Sequence, residues 1–137
     1  MRNYLEDLLK ARDYPSYVLT AFIPPWARDA YLAIKSFNLD TALVADQTSN
    51  LAIGRLRMKF WRDAINAVFE GSTSGGQSVS AYKEPTVILL HNVLQGKSGI
   101  GGTSESGSKD GNGNDKGLRL NKGWFMRNIS ARVSRPY

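Results

Sequence analysis

The sequence has no cysteine and a single histidine, His91. Without cysteine there are no disulfides, thiolate metal sites, iron–sulfur clusters or thiol nucleophiles. With one histidine there is no His–His metal pair, so a metal would need oxygen ligands, which points to magnesium or calcium chemistry. No apolar run approaches the ~18 residues that a membrane-spanning helix needs. The N-terminal stretch MRNYLEDLLKARDY lacks the apolar centre of a secretory signal. Glu6, Asp7 and Asp13 also set it apart from an acid-poor mitochondrial presequence, so no presequence is legible. No convincing period-2 run is found, so strands are not expected.

What is present is close to a globular average: 42% hydrophobic and 22% charged residues in a chain of 137, one domain's length. Lys plus Arg number 18 against 12 Asp plus Glu, a net charge of +6. The excess is local. Residues 118–137 carry Arg119, Lys122, Arg127, Arg132 and Arg135 and no acid. Glycine is local too, with 8 of the 13 glycines in residues 96–117. That stretch offers only Ile100 to a core and reads as a flexible Gly/Ser-rich insertion. GSTSGGQSVS at 71–80 reads as a shorter loop of the same kind. The chain therefore divides into a body at 1–95, an insertion at 96–117 and a basic amphipathic helix with a tail at 118–137.

The periodicity is helical throughout the body. Tyr4, Leu5, Leu8 and Leu9 mark a first helix, and SYVLTAFI at 16–23 runs into Pro24-Pro25. From Trp26, the residues Ala30, Ile34, Phe37 and Ala42 mark a second helical stretch, with a break at 47–50. The segment 51–70 is the clearest helix, with Ile53, Leu56, Phe60, Ala64 and Val68 as its stripe and Trp61 and Ile65 at the side. Pro85 opens a shorter apolar helix, and Leu120, Trp124, Phe125 and Ile129 mark a last one. The expected class is all-α.

Few residues suggest chemistry. Asp40 and Asp46 are separated by about 600° of helical rotation, two-thirds of a turn off a shared face, and read as solvated carboxylates. Arg55, Arg57, Lys59 and Arg62 make a basic surface on one helix. Arg55, Arg57 and Arg62 are its candidates for holding a diphosphate or another anion. His91, in VILLHNVL, reads as a structural histidine. Gly96-Lys97-Ser98 follows no strand and lacks the first glycine of a phosphate loop. Asn128-Ile129-Ser130 forms a glycosylation sequon, but it falls in the last amphipathic helix and no secretory signal precedes it. Trp124 and Phe125 fit a helix core better than a base-stacking platform, so no nucleic-acid partner is expected. The basic C-terminal helix suggests peripheral contact with an anionic membrane.

Four segments in order carry a resemblance. They are Arg12-Asp13-Tyr14 through Ser36-Phe37-Asn38, GRLRMKFWRDAI at 54–65, EPTVILLH at 84–91 and LNKGWFMRNISAR at 120–132. The chain resembles the N-terminal part of the squalene/phytoene synthase-like family, and is most similar to its mitochondrial complex I assembly factor branch. The resemblance implies an isoprenoid-synthase-type helical bundle, truncated here before its later helices. In the synthases two aspartate-rich motifs hold magnesium against the diphosphates of two prenyl chains, neutralising the leaving group as the C–O bond breaks. The first such motif reads Phe37-Asn38-Leu39-Asp40-Thr41-Ala42-Leu43-Val44-Ala45-Asp46 in this chain. Its arginine is lost as Leu39, its first aspartate as Ala42, and only Asp46 is retained.

The expectation that follows is a protein without catalytic or metal-binding residues and without a cofactor. It would support complex I assembly from the matrix side of the mitochondrial inner membrane. Its partners would be assembly intermediates or other assembly factors, with a prenyl lipid as a further candidate. The alternative is a magnesium-dependent head-to-head prenyltransferase. Helices shaped to face absent neighbours would leave Phe60, Trp61, Trp124 and Phe125 partly exposed and the monomer marginal in stability.

Overall fold

A computed structural model describes residues 2–70, 79–96 and 120–134. Among them six α-helices and two short 3₁₀ turns account for the regular structure. They are α1 (Arg2–Arg12), α2 (Tyr14–Leu19), α3 (Pro25–Gln47), α4 (Leu51–Glu70), α5 (Pro85–Leu94) and α6 (Lys122–Val133), with the 3₁₀ turns at Thr20–Phe22 and Val79–Ala81. The all-α expectation holds. The 96–117 insertion and the 71–80 loop fall almost wholly outside the described residues.

Local chemistry sets the helix ends. Pro15, Pro25 and Pro85 sit in the first turns of α2, α3 and α5, where a missing N–H does no harm. Asp13 accepts a hydrogen bond from the Ser16 amide at the start of α2, and the Ser16 side chain first, with that amide, holds its carboxyl below the ordinary range. Asn50 accepts from the Ala52 amide at 2.9 Å and Asn121 from the Gly123 amide at 2.7 Å, capping α4 and α6. At the end of α5, Gly96 takes φ +67°, the left-handed turn that releases a chain from a helix.

α3 is the central element. It packs on α1, α4, α5 and α6, and α4 packs in turn on α5 and α6. The core forms where these helices meet around Phe37. Trp61 of α4 stands edge-on to Phe37 at 5.6 Å, and Phe125 of α6 does so at 4.9 Å. Leu5, Leu9, Leu32, Ile65, Leu90 and Ile129 are fully buried around them.

Two sequence expectations are corrected here. First, Trp61 and Phe125 are core residues, 5% and 1% exposed, because both close on Phe37, whereas Phe60 is exposed and Trp124 half-buried as expected. Second, the first half of α4 turns a different stripe inward. Gly54, Met58 and Trp61 are buried there while Ile53 and Leu56 are 48% and 67% exposed; in the second half Ala64, Ile65 and Val68 are buried as the period predicts. The wide apolar arc of α4 permits either stripe, and the large Trp61 ring takes the place beside Phe37. The segment 16–23 also turns polar residues inward. It buries Ser16 and Thr20 and leaves Val18, Leu19 and Phe22 exposed.

Candidate functional site

The C-terminal half of α3 has two sides that differ by about 200° of rotation. Asp40, Val44 and Gln47 lie on one side and line a cavity of about 260 Å³ together with Arg57, Phe60 and Trp61 of α4 and Glu84. Leu39, Ala42 and Asp46, where the sequence resemblance sets the aspartate-rich motif, do not line it. Leu39 and Ala42 are half-buried and Asp46 is exposed near the end of the helix.

Asp40 is the unusual carboxylate. Its Oδ2 accepts a 2.8 Å hydrogen bond from the Thr86 hydroxyl in the first turn of α5. Burial pushes its carboxyl up to about 6; the Thr86 bond works against that rise and the charge of Glu84 adds to it. Burial also raises the Glu84 carboxyl. The sequence suggests a solvated Asp40; the structure instead half-buries it against α5. Thr86 lies 46 residues further along the chain, and no local pattern announces that partner.

The basic residues of α4 do not converge. Arg57 donates to Gln47 Oε1 at 3.0 Å and lines the cavity beside Asp40 and Glu84. Arg55 and Arg62, seven positions apart, share another side of the helix and are exposed. His91 is half-buried on α5, and its Nδ1 has no hydrogen-bond partner among the described residues. A second recess, of about 340 Å³, lies between α3 and α6 and is lined mainly by Ile34, Leu120, Trp124 and Phe125, with Arg127 among its polar residues.

The donor set of the α3 motif does not fit a magnesium–diphosphate site. Leu39 and Ala42 supply no charge and no oxygen, Asp46 stands alone on its side, and Asp40 is held by Thr86 on the other. Among the described residues no group of three or more acidic or histidine side chains could hold a metal ion.

The family described as squalene/phytoene synthase matches residues 9–100. The chain belongs to the squalene/phytoene synthase family. A human protein named NADH dehydrogenase (ubiquinone) complex I, assembly factor 6 is 33% identical over 67 residues, which are 49% of this chain and 20% of that relative. The rat protein of the same name is 38% identical over 66 residues, 48% of this chain and 20% of the relative. A Dictyostelium discoideum homologue of that assembly factor is 26% identical over 131 residues, 95% of this chain and 29% of its own length. The chain therefore spans less than a third of the curated relatives it matches. No solved structure matches it. The matched region takes in α3, α4 and α5, and with them Leu39, Ala42 and Asp46.

Proposed function

We propose that this chain supports the assembly of respiratory complex I as a non-catalytic member of the squalene/phytoene synthase family. The observation that carries this reading is the state of α3. The helix lies within the region that matches the family, and its Leu39 and Ala42 leave Asp46 without the neighbours that a metal-bound diphosphate needs. The names of the relatives support the same reading. The place of action would be the matrix side of the mitochondrial inner membrane, and the partners would be assembly intermediates or other assembly factors held on the helical surface. A prenyl lipid, if one is retained, has a fitting apolar wall in the α3–α6 recess of Ile34, Leu120, Trp124 and Phe125.

Deleting the gene in its own cells tests this. Assembled complex I, separated on a native gel, is expected to fall while the other respiratory complexes hold. Unchanged complex I would sink the proposal.

A further inference from the structure

The cavity beside Asp40 holds two acids whose charge the fold leaves unpaired. Asp40 of α3, Arg57, Phe60 and Trp61 of α4, and Glu84 just ahead of α5 line it. Asp40 receives the Thr86 hydroxyl on Oδ2, and no hydrogen bond among the described residues engages its Oδ1. Glu84 stands at the N-cap position of α5, yet its side chain makes no capping bond. Neither carboxylate has an ion-pair partner among the described residues. Arg57 lies beside both, but it donates to Gln47 Oε1 at 3.0 Å instead. Burial raises both carboxyls, so their charge works against the fold. Charge that packing does not use, gathered around one open space, is the mark of a binding site.

We propose that this cavity binds an organic cation, an ammonium or guanidinium group on a short alkyl stem. The head would donate to Asp40 Oδ1 and to the Glu84 carboxylate and neutralise both. The stem would lie against Phe60 and Trp61, whose rings stand 5.6 Å apart, and their faces add attraction for a cation. At about 260 Å³ the space suits a group of that size better than a larger ligand. An anion would meet two carboxylates and one guanidinium. A metal ion is poorly served, because Gln47 Oε1 already accepts from Arg57 and no group of three acidic or histidine side chains gathers among the described residues. A free amine or guanidine carries the required head, and so does a Lys or Arg side chain of a partner protein; the test separates these sources. Cation binding here does not depend on the complex I role.

Titration of the full 137-residue chain with n-butylguanidinium, followed by amide and indole NMR shifts, tests the proposal. Shifts are expected at Asp40, Glu84 and the Trp61 indole, with a Kd of about a millimolar for so small a probe. n-Butanol, which has the stem without the charge, is expected not to bind. Asp40→Asn, which keeps an acceptor for Thr86, and Glu84→Gln should each weaken binding roughly tenfold or more. Arg57→Gln should tighten it, because a like charge leaves the cavity wall. The titratable groups facing the cavity are Asp40, Arg57 and Glu84, so binding should also weaken as pH falls below about 6 and Asp40 takes up a proton. A blocked Gly-Arg-Gly peptide that binds as tightly as n-butylguanidinium would assign the site to a partner's side chain, and one that does not bind would assign it to a free small molecule. An unchanged circular dichroism melt, or a higher one, verifies that each variant is folded. No shift at the cavity, equal binding of n-butanol, binding unaffected by folded Asp40→Asn and Glu84→Gln, or binding weakened by Arg57→Gln would overturn the proposal. Because the readout is cation binding, a failure here leaves the native-gel result for complex I untouched.

Discussion

The Thr86 hydroxyl donates to the Asp40 carboxylate at 2.8 Å, joining α3 to the first turn of α5. The bond holds a carboxyl group in a half-buried cavity whose other acid, Glu84, is also raised by burial. The consequence is a pH dependence. The Asp40 carboxyl titrates at about 6 when folded and near 3.8 when unfolded. Between those values the folded chain binds the extra proton, so stability falls as pH rises through that window. Asp40→Asn keeps an acceptor for Thr86 and removes the charge. It is expected to stabilise the chain by about 1 kcal/mol near neutral pH, a value reduced for partial solvent screening. Near pH ~4 the gain should vanish. Chemical denaturation at the two pH values checks this, and a pH-independent effect would contradict it.

Two ion pairs should behave differently. Arg2 pairs with Asp29, whose side chain is 12% exposed, and this ties the start of α1 to α3. Lys122 pairs with Glu70 at the surface, with side-chain exposures of 31% and 43%. Arg2→Ala is expected to lower stability by about 1–3 kcal/mol, since it removes charge-assisted hydrogen bonds to a largely buried carboxylate. Lys122→Ala should change it by less than about 0.5 kcal/mol. Melts of the two variants at low and moderate salt distinguish them, and equal effects would refute the assignment of burial.

Phe37 is the hub of the aromatic core, in contact with Trp61, Trp124 and Phe125. Phe37→Ala removes the ring that three helices share. A loss of about 3–5 kcal/mol is expected from transfer and cavity effects, read as a lower denaturant midpoint. A loss below about 1 kcal/mol would mean that α6 does not pack on α3 as described.

Much of this arrangement was legible in the sequence, and the failures have a common cause. Most of the helices follow from apolar period and from Pro25 and Pro85 at their starts; the short α2 behind Pro15 does not. The choice of face does not. In α4 the set Ile53, Leu56, Phe60 and the set Gly54, Met58, Trp61 both fit a helical period, and only the position of Phe37 on α3 selects between them. In 16–23 the apolar residues outnumber the polar ones, yet Ser16 and Thr20 turn inward, with Tyr31 donating to the Ser16 carbonyl at 3.0 Å. At the candidate site, the losses at Leu39 and Ala42 could be read directly. The burial of Asp40 could not, because Thr86 comes from a distant helix. The separation of Arg57 from Arg55 and Arg62 was implicit in their spacing, since two residues turn a helix by about 200°.

Restoring the motif should not restore chemistry. Leu39→Arg with Ala42→Asp returns the lost arginine and places a second carboxylate one turn before Asp46. Within this chain that pair still lacks a facing set of acids among the described residues. No magnesium-dependent diphosphate release from farnesyl diphosphate is expected. Release above the level of the parent chain would show that the bundle retains the rest of a synthase site.

The most direct test of a non-catalytic role in complex I assembly is complementation. Cells lacking the full-length relative would receive this chain behind a mitochondrial presequence, either unaltered or carrying Asp46→Ala, and assembled complex I would be quantified on a native gel. The expected result is restoration, equal for both forms, because the role does not use the surviving motif aspartate. Two results would contradict it: no restoration with the protein present and soluble, or restoration that is lost with Asp46→Ala at equal protein level.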